Sequence, residues 1–259
     1  MQANGTLRPT NERGWRRGLA NLWYKESHLW WGTWQWLIHV GLWAFLLNGL
    51  YGIVLFAVIH APAEARTPEP GLTFFGFGLF LFTILTLIFT GAGAIILAQG
   101  TIIGEKQSGT AAWVLSKPVS RTAFLLAKCA YLPGMLLTML MIPWIVAILE
   151  TWLVTRQIPS LTIMLPLLGW QVSSLVFFFC LTLLLGTLCR GRTLTAGISL
   201  LVLVLLNQLV MSTLKVGITM TRDIISGQFL FPLQVIIALL CGAGICLFIA
   251  IKRFEREEF

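Results

Sequence analysis

The residues with the right types for covalent chemistry do not stand in the spacings that such chemistry needs. Ser199, in Gly197-Ile198-Ser199, has the small neighbours of an intramembrane nucleophile, but a serine needs a base and no histidine follows it. The three histidines, His28, His39 and His60, lie in the first quarter of the chain and match no helical zinc spacing. Gly100-Thr101-Ile102-Ile103-Gly104-Glu105-Lys106 is a near miss for a phosphate-binding loop: its glycines are one residue too close, and Glu105 holds the lysine position. The five cysteines, Cys129, Cys180, Cys189, Cys241 and Cys246, are odd in number and form no CxxC, so they read as small buried hydrophobes. An intramembrane enzyme or a proton pump would also need carboxylates inside its apolar stretches. A charged group there costs about 2.5–3.5 kcal/mol and is kept only for a use. None occurs centrally in any of them; Glu150 and Lys215 sit at the ends. No catalytic residue, cofactor site or metal site is therefore assigned.

Two groups of residues suggest work other than bond making. The first is Asn48, Gln171, Asn207 and Gln208, polar amides inside apolar stretches. They fit either hydrogen bonding between helices, which is the commoner use, or contact with a polar substrate or partner; Asn48, Asn207 and Gln208 are the candidates for a substrate path. The second is a polar island, Gly104-Glu105-Lys106-Gln107-Ser108-Gly109-Thr110 through Trp113 to Lys117-Pro118-Val119-Ser120-Arg121. Gly104 is expected to end the preceding helix, and Ser108 to cap a short one in which Ala111, Val114 and Leu115 share a face. Pro118 ends that helix, and Ser120 caps the next. A short amphipathic helix held by tight turns transmits a push; the alternative is a static connector.

The elements that must position these groups are membrane helices. The chain has 259 residues, of which 57% are hydrophobic and 11% charged. Uncharged runs cover 27–63, 70–104, 129–149, 157–189, 193–214 and 224–251. About 20 apolar residues cross the hydrocarbon core, and in lipid such continuous runs must satisfy their own backbone as helices. The expected fold is an all-α integral membrane protein with six spans near 36–59, 73–98, 122–149, 164–188, 194–213 and 232–251. Of 18 Lys and Arg, 14 fall before the first span, in the loops after the second and fourth, and after the sixth; the other 4 are Arg66, Arg156, Lys215 and Arg222. That bias places both termini in the cytoplasm. It also accounts for the net charge of +8, which meets anionic lipid rather than nucleic acid.

Residues 1–34 form a cytoplasmic N-terminus with no cleavable leader pattern. Within it Trp15, Leu19, Leu22, Trp23 and Trp30 oppose Arg16, Arg17, Asn21 and Lys25, the pattern of an amphipathic helix in the interface. Residues 35–259 make one membrane domain. Gly91-Ala92-Gly93-Ala94 reads as close helix packing, and Pro133 and Pro143 as kinks in the third span. Apolar residues in the outer stretch 213–231 suggest a short hairpin dipping toward the membrane.

Glu105, then Gly109-Thr110, then Leu115-Ser116-Lys117-Pro118-Val119-Ser120-Arg121 and Leu125-Leu126-Ala127-Lys128 resemble the cytoplasmic loop of ABC-2 type transporter permeases. An acidic residue common after the Gly-Thr of that family is replaced here by Ala111-Ala112-Trp113. The resemblance implies the transmembrane permease of a bacterial ABC exporter in the plasma (inner) membrane. Its path would form with a second copy, or with a homologous permease. ATP and Mg would be bound by a separate cytosolic ABC ATPase, not by this chain. The coupling loop would span about 104–121, with a coupling helix near 105–116. Gly104, Glu105, Lys106, Gln107, Gly109, Thr110, Trp113, Pro118 and Arg121 would lie at or beside the contact, and Arg190 and Arg192 would offer a second one. Two other classes stay open on the sequence: an intramembrane enzyme around Ser199, and a scaffold or channel without energy input.

Overall fold

A computed structural model describes residues 12–60, 74–156, 158, 161–212 and 230–257. Its long apolar runs form helices, and the described residues contain no strand. In chain order these are α1 (Leu19–Trp31), α2 (Gln35–His60), α3 (Phe74–Gln107), α4 (Thr110–Leu115), α5 (Arg121–Thr155), α6 (Leu161–Leu188), α7 (Arg192–Ser212) and α8 (Leu230–Glu255). Five are long and apolar enough to cross a bilayer, over Gln35–Ala57, Leu81–Gln107, Arg121–Thr155, Met164–Leu188 and Leu233–Glu255. The expected fifth span is a helix too, but its apolar part, Arg192–Gln208, is shorter than these. The expected outer hairpin falls mostly on 213–229, outside the described residues.

α6 is central and packs against α8, α3 and α7. Its residues Leu175, Phe179 and Leu183 are fully buried. α2 packs against the later part of α5 and against α3. Glycine decides how closely these helices approach. A Cβ on Gly93 would stand 2.1 Å from Met139 Cε and 2.5 Å from the Trp43 ring, and one on Gly91 would stand 2.8 Å from Leu203 Cδ1. The small-residue run in α3 therefore serves close packing on both sides. Outside the bundle the exposed side chains are apolar, among them Ile38, Phe45, Ile53 and Phe56 on α2 and Ile245 and Phe248 on α8. Such a continuous apolar surface suits hydrocarbon and not water.

α5 shows how its prolines act. Its helical pitch tightens over Lys128–Tyr131, just before Pro133, and widens into a π turn over Leu136–Met141, just before Pro143. Each proline removes an N–H and crowds the preceding turn, and the local change of pitch absorbs both effects without ending the helix.

Candidate functional site

The polar island departs from the expected pattern at its start. α3 does not stop at Gly104 but continues to Gln107. What Gly104 provides is room: a Cβ there would lie 2.7 Å from Arg192 Nη2. The turn is made by Gly109, whose φ of 73° is left-handed and costs a glycine little. Gly109 is also the N-cap of α4, so Ser108 is not; its Oγ is 3.5 Å from the Thr110 N–H and bonds the Thr110 hydroxyl at 2.8 Å. The other end follows the expectation. Ser120 Oγ accepts the Ala123 N–H at 3.0 Å and caps α5.

α4 lies against the bundle on one side only. Ala111 and Val114 are buried in a core shared with Trp30, Phe124 and Phe254. Ala112, Trp113, Ser116, Lys117 and Pro118 face outward, with Gln107, Ser108 and Gly109 beside them. Trp113 is 62% exposed, and Lys117 Nζ sits 3.5 Å from its ring centroid. An indole held out by a cation–π contact is a large, ordered, amphipathic surface.

The charged residues at the root of α4 turn inward. Lys128 is 1% exposed, and its Nζ lies 2.9 Å from Glu26 Oε1 and 2.9 Å from Glu105 Oε1. Lys25 Nζ lies 3.2 Å from Glu105 Oε1 and 3.5 Å from Glu26 Oε1. Two cations and two carboxylates thus form a neutral cluster that joins α1, the end of α3 and the start of α5. Burial acts to lower the Lys25 pKa, but Glu105 and Glu26 outweigh it and hold the ammonium above its ordinary value. Beside the cluster, Trp30 stacks on His39 with centroids 5.0 Å apart. Trp30 Nε1 is so close to α5 that a Cβ on Gly134 would be 2.2 Å from it.

The structure shows which side of α1 meets the bundle. Leu22, Glu26 and Trp30, one turn apart, face the bundle, while Trp23 and Trp15 are exposed. The reason is the salt cluster: Glu26 turns toward Lys128 and sets the rotation of the helix. α1 is also tied to the far end of the island. Ser120 N–H donates to Arg17 O at 3.0 Å, and Ser120 Oγ donates to Trp15 O.

The end of α8 fastens both roots of the island. Lys106 Nζ donates to Glu257 Oε1 at 2.7 Å and to Thr187 O at 3.3 Å. Arg121 Nη1 donates to Glu255 O at 2.7 Å, and Thr122 Oγ1 to Glu255 Oε1 at 2.9 Å. Phe124 and Phe254 stack with rings 5.3 Å apart and 2° from parallel. Glu105, Lys106 and Arg121 are thus held by partners on other helices, Gly104 lies against the exposed Arg192, and Gln107, Gly109, Trp113 and Pro118 are exposed surface. Thr110 lies between the two sets, and Arg190 is exposed on the short α6–α7 turn.

The amides do not gather. Asn48 is buried on α2 and donates to Ala44 O at 3.0 Å; Asn207 donates to Leu203 O at 2.9 Å; Gln208 is exposed. α2 and α7 share no extensive packed face. Gln171 is fully buried and its Oε1 accepts the Trp144 indole N–H. Ser199 is fully buried, with Thr182 Oγ1 at 3.2 Å and no base beside it among the hydrogen-bonded groups described. The arrangement is a short helix with one exposed side, flanked by residues that bond to α1, α5, α6 and the end of α8.

The Glu26–Lys128 pair was not foreseen from the sequence. A signal was present: a carboxylate at one-turn spacing between Leu22 and Trp30, and a lysine inside the apolar run from Ala123 to Leu137.

Comparison with known proteins gives one family. Residues 47–240 match the family model described as ABC-2 family transporter protein. No curated protein matches the chain.

Proposed function

This chain belongs to the ABC-2 family of transporter proteins, and on that premise we propose that it is the permease of an ATP-driven exporter whose ATPase is a separate cytosolic chain. It is a multi-pass membrane protein of a transport family and is not itself the catalytic subunit. In the proposed arrangement α7 completes six spans, both termini and α4 face the cytoplasm of a bacterial inner membrane, and two copies enclose the path. The charge bias of the loops supports that orientation.

The observation that carries the proposal is the two-sided build of α4. Its outer side offers Trp113, Lys117 and Pro118, while its roots are clamped to α1, α5 and α8 through Glu105, Lys106 and Arg121. A force applied to the outer side is carried into the long helices rather than spent in bending a loop. ATP and Mg belong to the partner, which would seat on this face. Arg190 flanks it, and Arg192 supports it from behind Gly104.

The test is capture and transport together. The tagged chain is co-expressed with the ATPase that follows it out of the native membrane, and ATP-driven export is measured in vesicles. Trp113→Ala with Lys117→Ala should weaken ATPase capture by about tenfold or more, as loss of a central aromatic anchor does, and leave the melting temperature unchanged. Full capture and full transport by this double variant would overturn the docking face. Transport that continues without ATPase would make the chain an unpowered channel or scaffold.

A further inference from the structure

The end of the bundle that carries α4 also holds a cavity of about 380 Å³. Lys106, Gln107, Leu188, Arg190, Arg253 and Glu257 line it, and no residue of α4 does. It therefore differs from the exposed face assigned above to the ATPase, although Gln107 and Arg190 border both.

Three cations and one carboxylate face this space. The carboxylate is committed: Glu257 Oε1 lies 2.7 Å from Lys106 Nζ. Neither Arg190 nor Arg253 makes an ion pair with a carboxylate among the described residues. Among the described residues, two guanidinium groups thus share one concave site in which the only carboxylate, Glu257, is paired with Lys106. Their planar forks suit the oxygens of a phosphate.

The depth of the cavity indicates where the phosphate comes from. The membrane-crossing parts of α3, α6 and α8 end at Gln107, Leu188 and Glu255, and the cavity lies among these last turns. That is the level of lipid headgroups. Leu188, half exposed at the rim, offers apolar surface on the same edge. A cationic pocket with an apolar lip at this depth fits an amphiphile whose head carries a phosphate. We propose that the cavity between the last turns of α3, α6 and α8 binds the phosphate of an anionic phospholipid from the adjoining leaflet, held by Arg190 and Arg253 and with Leu188 against its first acyl carbons.

The experiment uses the full chain alone, so it does not depend on the ATPase assignment. The protein is reconstituted in discs of phosphatidylcholine and phosphatidylglycerol, and the retained lipid is identified by native mass spectrometry. The wild type should retain phosphatidylglycerol preferentially. Arg190→Gln and Arg253→Gln should each lower that preference about fivefold, which is about 1 kcal/mol, through loss of a fork-shaped guanidinium contact to the phosphate. Lys252→Gln, at an exposed position on the same helix that does not line the cavity, should leave it unchanged. Unchanged melting temperatures confirm that the variants are folded. Four results would overturn the proposal: equal retention of both lipids by the wild type, a preference that survives the double arginine variant, an equal loss in Lys252→Gln, or displacement of the lipid by millimolar inorganic phosphate, which would make this a site for the free ion.

Discussion

Lys128→Met tests whether the buried charge cluster holds the island to the bundle. Lys128 sits 2.9 Å from oxygens of both Glu26 and Glu105, so those two oxygens are no more than about 6 Å apart. With the ammonium gone, they repel by about 3 kcal/mol at an effective dielectric constant of about 20. Removing one partner of a buried pair costs about 3–5 kcal/mol in general. Lys25, at 3.2 and 3.5 Å from the same oxygens, still offsets part of this, so the lower figure applies. For a chain of this size, about 3 kcal/mol corresponds to a fall in melting temperature of roughly 6–12 °C. Methionine matches the stem of lysine, so little of the loss comes from packing. The assay is a tryptophan-fluorescence melt of the protein in mild detergent, followed through residues that include Trp30 beside the cluster. Adding Glu26→Gln to Lys128→Met removes the repulsion and should restore about half of the loss, a non-additivity expected of residues in one network. A Lys128→Met variant that melts within about 2 °C of the wild type, or a double variant whose effects simply add, would refute the reasoning.

Other predictions follow from the same contacts. Gly134→Ala should destabilise by about 1–3 kcal/mol through overpacking against Trp30, whereas Gly41→Ala, which meets open space, should stay within about 0.5 kcal/mol; equal melts would sink the close-approach account of α1. Glu257→Gln and Lys106→Gln should each cost up to about 1 kcal/mol and be non-additive, and additive melts would mean that the 2.7 Å contact is not a stabilising pair. The Lys25 pKa is raised on folding, so its contribution is fully present below the ordinary value of 10.5 and is lost as pH rises through the folded value. Melting temperature should therefore drop above pH 10.5, and less steeply in Lys25→Gln; identical alkaline profiles would count against it.

The architecture was largely legible in the sequence because lipid imposes a one-dimensional rule. Uncharged runs longer than a bilayer must be helices, and charges between them mark the ends. The motif from Glu105 to Lys128 carried the family resemblance for a related reason: proline and capping residues act locally, so Pro118 and Ser120 could be placed without the fold. Local rules failed where a partner was distant. Gly104 looked like a helix end because glycine often is one, but its role depends on Arg192, which lies 88 positions later. Ser108 looked like a cap, but the left-handed turn at Gly109 supplied the start of α4.

The sequence by itself determined that this is a helical membrane protein with one short polar island between two of its long helices. Hydrophobicity and chain direction settle that much. Only the tertiary structure decided which side of the island is exposed. Glu105 and Lys106 stand beside Gln107 in the chain and look equally exposed, yet one is drawn to Lys25 and Lys128 and the other to Glu257. Charges at the edge of a low-dielectric bundle turn toward counter-charges wherever the fold brings them, and those partners lie 80, 23 and 151 residues away in the chain. Trp113 is left facing outward, with Lys117 over its ring.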